Sequence, residues 1–204
     1  MKEIAFRCAM ASILLLTAFS VFGQERAEAP TYKDGEFWQF RVAERDFIGQ
    51  TSAALDGEYE LAYVAGQLKI FKLGSDQKID VDAAGIPQQT IILEWMFSRG
   101  SYQGGQSLKF PLSIGQKWSY DYMASARGGR KETLRSAEVR AVGIEDVSVP
   151  AGTFRSFKLV REATADQLFT YYYSPQVKAI VKALHTFGSG GKREIELIKF
   201  GSAR

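Results

Sequence analysis

Along most of the chain apolar and polar residues alternate with a period of two. Successive side chains of a strand point to opposite faces, so this pattern predicts half-buried strands. The first clear case is 36–42, where Trp38, Phe40 and Val42 alternate with Gln39 and Arg41. Tyr59, Leu61 and Tyr63 alternate with Glu60 and Ala62 between the turn signals Asp56-Gly57 and Ala65-Gly66, and a further strand returns over 68–73. The run 91–97 is apolar on both faces except at Glu94 and fits a strand covered on both sides or a short buried helix. Trp118, Tyr120 and Tyr122 then alternate with Lys117, Ser119 and Asp121.

From this point strands are predicted at 116–124, 132–143, 153–162, 167–173, 177–186 and 193–200. Two corners punctuate them. Pro150 fixes its own φ and pushes Val149 into an extended conformation, while Gly152 can take the positive φ of a tight turn. Ser174 and Pro175 stop the aromatic run 169–173 before a β-branched run resumes at Val177. Short connections favour neighbouring antiparallel strands, and no amphipathic segment of about a dozen residues competes with them. The expected fold class is therefore all-β, an antiparallel up-and-down meander forming a barrel or half-barrel, with room for one short helix between its halves.

Two stretches share the order Gly, two variable residues, Trp, one polar residue and an aromatic: Gly35 to Phe40, with Trp38, and Gly115 to Tyr120, with Trp118. Either the chain holds two similar β-modules, 36–105 and 106–204, or two strands have similar needs. Trp38 and Trp118 are expected to be buried anchors, with Pro150, Gly152 and Pro175 anchoring the turns.

Residues 1–23 differ in character. Lys2 and Arg7 precede the apolar run 8–22, and Val21 and Gly23 suit a cleavage site before Gln24, so a secretory signal peptide is expected, followed by a flexible leader over 24–35 and one β domain over 36–204. Cleavage would remove Cys8, the only cysteine, leaving a periplasmic or secreted chain without disulfides. The full chain carries 26 Lys plus Arg against 23 Asp plus Glu. Losing Lys2, Arg7 and Glu3 leaves 24 against 22, an even balance that argues against nucleic acid as a partner. No later run approaches the roughly 20 apolar residues of a membrane-spanning helix.

Candidate chemistry is sparse. His185, the single histidine, falls in phase with Val181 and Ala183 and reads as a structural residue. The stretch 188–192, GSGGK, lacks the register of a phosphate loop, and no GxSxG elbow occurs. Asp76, Asp80 and Asp82 miss calcium-loop spacing, since the glycine and glutamate positions hold Val81 and Pro87. Asp121, Glu138, Glu162 and Asp166 leave carboxylate-only hydrolysis open, but no spacing pairs them. No cofactor is expected. In an alternating meander the connections 125–131, 163–166 and 187–192 share one end, which gathers Arg127, Arg130, Lys131, Lys192 and Arg193 into a basic rim suited to an anionic envelope component or lipid headgroup.

Gly115, Trp118 and Tyr120, then Val149 to Phe154, then Tyr172, Tyr173, Ser174, Pro175, Val177, Val181 and Lys182 resemble a broad group of uncharacterised secreted or periplasmic bacterial β-proteins. Lys178 departs from that group, which often carries glycine there. The resemblance covers roughly 110–200 and implies fold and export, not a reaction; some members look like lipoprotein-carrier half-barrels. Two functions are thus weighed above catalysis: a non-catalytic cell-envelope binding or assembly protein, and a carrier holding an apolar ligand or lipid inside the barrel.

Overall fold

The alternation resolves into one large antiparallel sheet and a small two-stranded one. The computed structural model of the protein describes residues 25–45, 48, 57–74, 78–79, 102–103, 108–125, 132–164, 167–186 and 190–202. Its strands are β1 (Arg26–Ala27), β2 (Glu36–Arg45), β3 (Gly57–Val64), β4 (Gln67–Lys72), β5 (Lys78–Ile79), β6 (Tyr102–Gln103), β7 (Leu112–Ser113), β8 (Lys117–Ser125), β9 (Glu132–Val149), β10 (Gly152–Thr164), β11 (Gln167–Ser174), β12 (Ala179–Thr186) and β13 (Lys192–Ser202). The sheet order is β5-β4-β3-β2-β13-β12-β11-β10-β9-β8-β6, and β1 pairs separately with β7. Strands β8 to β13 form the expected meander. Among the described residues, strands β2 to β5 join it through the pairing of β13 with β2, so they share one sheet with the meander. The barrel is not closed: β5 and β6 are its edges among the described residues.

The sheet curls around one core. Register shifts interrupt the ladders at Lys158/Leu159, Glu162/Thr164, Tyr172/Tyr173 and Leu197/Lys199, and each such irregularity adds local twist. The long β9–β10 hairpin bends across far enough for β9 to touch β12 and β13. Strands β12 and β13 part after the Lys182↔Glu196 pair. Beyond it the hairpin tip takes over, with the Ala151 N–H donating to the Leu197 carbonyl at 3.1 Å and Phe154 meeting Phe200 edge-on. Trp38 and Trp118 are both buried, each after a positive-φ glycine whose N–H donates to the adjoining strand, Gly35 to Tyr63 and Gly115 to Ala141.

The corners follow their chemistry. Pro150 and Ala151 form the turn between β9 and β10, and Gly152 takes φ 135°. Pro175 opens the turn 175–178, so β12 begins at Ala179, two residues later than expected. Lys178 occupies φ 59°, a left-handed conformation that favours glycine, and its ammonium donates to the Thr31 carbonyl at 2.9 Å and to the Glu36 carboxylate at 2.5 Å. Contacts made by the long side chain thus hold a backbone that glycine would adopt without strain.

The segment read as a flexible leader instead packs against the sheet. Ala27 is buried opposite Leu112, and Tyr32 meets Trp38 and Tyr63 while its hydroxyl donates to the Lys178 carbonyl. Its polar composition concealed two apolar anchors, a small one and an aromatic one, spaced to span the end of the core. The described residues contain no helix. The run 91–97, the intervening segment where a helix was allowed for, and Asp76, Asp80 and Asp82 lie outside them.

Candidate functional site

Cross-strand pairing lines up seven residues on the inward face: Glu44, Arg193, His185, Phe169, Arg161, Val139 and Trp118, each opposite the next on β2, β13, β12, β11, β10, β9 and β8. All seven are buried, and four of them are polar. The reason is phase. Arg193 alternates in step with Ile195 and Leu197, Glu44 with Val42 and Phe40, Arg161 with Leu159, and His185 with Ala183 and Val181, so each polar side chain enters the core with its strand's apolar set.

Side-chain contacts join several neighbours along this rung. Arg193 holds Glu44 with two donors, Nη2 at 2.7 Å and Nε at 3.2 Å from Oε2. The His185 ring stacks on Phe169 at 3.8 Å between centroids and 20° between planes. On the other face of the site the Arg161 guanidinium lies 4.5 Å from the Phe169 centroid and 5.5 Å from that of Tyr120. A cation over an aromatic face is attracted by the ring quadrupole, and more strongly when water is excluded.

Burial first, and then the charges of Arg193 and Arg161, push the His185 pKa down to about 3. The imidazole is therefore neutral near pH 7, without the proton-transfer poise expected of a general acid or base. At the opposite end of the core, burial pushes the Tyr32 and Tyr173 hydroxyls well above the usual tyrosine range. Burial would also raise the Glu36 carboxyl, but hydrogen bonds from Lys178 and the Lys33 N–H hold it below its ordinary value.

The outward face is charged in another manner. Arg41 pairs with Glu58, Lys182 with Glu194 and Glu196, and Arg140 bridges to Glu162, all with partly exposed side chains.

Of the expected basic rim, Lys192 is exposed, whereas Arg193 is not a rim residue: its side chain is 1% exposed and points into the core. The alternation that turns Lys192 outward turns its neighbour inward. Arg127, Arg130 and Lys131 lie outside the described residues. Strands β8/β9, β10/β11 and β12/β13 do meet at one common end. There the ladder places exposed Arg45 opposite Lys192, a neighbour that the linear sequence did not reveal. The β8–β9 ladder continues six residues past Glu138, roughly 20 Å of strand, to the Ser125↔Glu132 pair. Glu138 and Glu162 are cross-strand neighbours, but Lys117 and Arg140 engage them.

These features define a curled, unclosed antiparallel β-meander, a half-barrel with a polar rung inside it. No family model matches the sequence, and no curated protein matches it. Among solved structures, a Bacteroides fragilis NCTC 9343 protein described as exported and of YmcC-like fold is similar at a TM-score of 0.37 and 11% identity, over 86% of this chain and 100% of that one. The hypothetical lipoprotein YmcC of Escherichia coli K12 is similar at 0.39 and 13% identity, over 85% of this chain and 92% of that one. A Parabacteroides distasonis ATCC 8503 protein described as a lipoprotein is similar at 0.35 and 9% identity, over 87% and 100%.

Proposed function

We propose that the chain is an exported, non-catalytic cell-envelope protein that meets an anionic partner, a lipid headgroup or acidic polymer, through the basic end of its meander. The observation carrying this reading is the placement of exposed Arg45 directly opposite Lys192 at the end where β12 and β13 turn; in sequence Arg127, Arg130 and Lys131 fall between β8 and β9. Each basic residue close to an anionic surface adds about 1 kcal/mol. Charged side chains at mid-strand on the outward face, such as Arg41, Glu58 and Lys182, support an aqueous surroundings for that face, because a barrel in lipid turns apolar residues outward. Carriage of an apolar ligand finds less support, since Phe40, Leu159, Tyr171 and Leu197 fill the inward face. A neutral, stacked His185 supports a non-catalytic role.

Vesicles of anionic and of neutral lipid, at low and physiological salt, test the proposal against wild type and a variant carrying Arg45→Ser, Arg127→Ser, Arg130→Ser, Lys131→Ser and Lys192→Ser. The expected result is salt-sensitive binding to anionic vesicles that the variant loses. Equal, salt-insensitive behaviour of the two proteins would rule out headgroup binding, and a lipid extracted in stoichiometric amount from the purified protein would favour a carrier.

A further inference from the structure

We propose that the buried Glu44–Arg193 pair is a register lock that sets how the N-terminal strands close onto the C-terminal meander. Among the described residues, the pairing of β13 with β2 is where strands β2 to β5 join the meander, and Glu44 and Arg193 lie 149 residues apart in sequence. No short turn sets this register, unlike the hairpin junctions of β8 to β13. Apolar alternation settles only half of the question. A slip of one residue would turn Trp38, Phe40 and Val42 to the outside and is excluded by burial. A slip of two keeps Phe40, Val42, Ile195 and Leu197 facing inward, because they recur at the same period.

The charges break that degeneracy. In the observed register Glu44 stands opposite Arg193 and both donors reach one carboxylate oxygen. Shifted by two, Glu44 would face Ile195, or Arg193 would face Val42, and the buried bridge between them would be broken. The neighbouring rung position reinforces the choice, since Arg193 is itself aligned with His185 by the β12–β13 ladder. Arg193 is thereby fixed on the meander side, and Glu44 is the element that must find it. The opposite end of β2 carries a second pin, the Trp38 indole N–H donating to the Val177 carbonyl at 2.6 Å. The lock at Glu44 therefore governs the end of β2 that leads into the connection toward β3.

Disulfide trapping reads the register directly. In a Cys8→Ser background, Ala43→Cys with Glu194→Cys reports the native pairing, because those residues are opposite partners on the outward side. Ala43→Cys with Glu196→Cys or with Lys192→Cys reports a slip of two in either direction. In otherwise wild-type protein only the native pair should cross-link. Replacing the lock with apolar residues, Glu44→Leu with Arg193→Met, should raise a slipped product severalfold, and exchanging the charges, Glu44→Arg with Arg193→Glu, should return trapping to the native pair. Should the apolar pair not fold, the same trapping on Glu44→Gln reads the lock, with the slipped product again expected. Exclusive native cross-linking in the variants lacking the pair, or persistence of the slipped product after charge exchange, would overturn the proposal.

Discussion

Strand β13 carries two kinds of ion pair one residue apart. Arg193 faces inward and holds Glu44, with side-chain exposures of 1% and 11%, while Glu194 faces outward and holds Lys182, with 42% and 22%. The separations are alike, 2.7 Å and 2.5 Å, so distance does not distinguish them. Surroundings do. The outward pair keeps much of its hydration in either state and is screened by salt, so forming it changes little. The inward pair has given up its water, and its members depend on each other because neither can return to solvent while the sheet is folded. Equal geometry therefore supports unequal roles: the outer pair decorates the sheet, and the inner pair constrains it.

The largest expected effect is loss of one inner partner. Glu44→Ala should destabilise by about 3–5 kcal/mol, read as a shift in denaturant midpoint, because it removes the carboxylate that two donors of the buried Arg193 reach. A change no larger than that of an outer-face variant would erase the distinction. Trp118→Ala, at the other end of the same rung, should cost a similar amount, about 3–5 kcal/mol, from the cavity it leaves. An unchanged melting midpoint would show that this ring contributes nothing to the core.

A smaller effect comes from His185 and has a definite sign. Its folded pKa lies near 3, below the unfolded value of 6.5, so below about pH 6.5 the unfolded chain takes up a proton that the folded chain refuses. Stability present above that pH is lost as pH falls toward 3, with a slope approaching about 1.4 kcal/mol per pH unit from this group. Carboxylates also titrate there, so the test is the difference between wild type and His185→Gln. Urea unfolding at pH 7, 5.5 and 4.5 should show a flatter dependence in the variant, and identical slopes would place the imidazole in contact with solvent. The smallest effect belongs to the outer pair: Lys182→Met should change stability by less than about 1 kcal/mol.

Much of the fold was legible because turn chemistry and alternation act locally. The Pro150–Gly152 corner, the stop at Pro175 and the succession of strands after Lys117 needed no knowledge of distant residues. Joining β2 to β13 did, since no local signal names a partner that far away. The packed leader was missed for a similar reason: Ala27 and Tyr32 are anchors only in relation to Leu112, Trp38 and Lys178.

The polar rung was hidden by assigning charged residues to the surface by type. Arg193 was placed on an exposed turn with Lys192, although its phase with Ile195 and Leu197 already pointed inward. Carrying each strand's alternation one step beyond its last apolar residue picks out Glu44, Arg161 and Arg193 in the same way that it picks out His185. The basic end was legible only in part, because Arg45 joins Lys192 through the ladder and not through the sequence.

A double-mutant cycle on Glu44 and Arg193, run beside one on Lys182 and Glu194, tests the contrast most directly. Each cycle compares Glu→Gln, the basic residue→Met and the double variant by equilibrium unfolding at pH 7. The inner pair should show a coupling of about 2–3 kcal/mol, the upper range for residues in direct contact. The outer pair should show about 0.5 kcal/mol or less, halved again by high salt. Equal couplings in the two cycles, or an inner coupling that salt abolishes, would contradict the assignment of Glu44 and Arg193 to the constraining interior of the sheet.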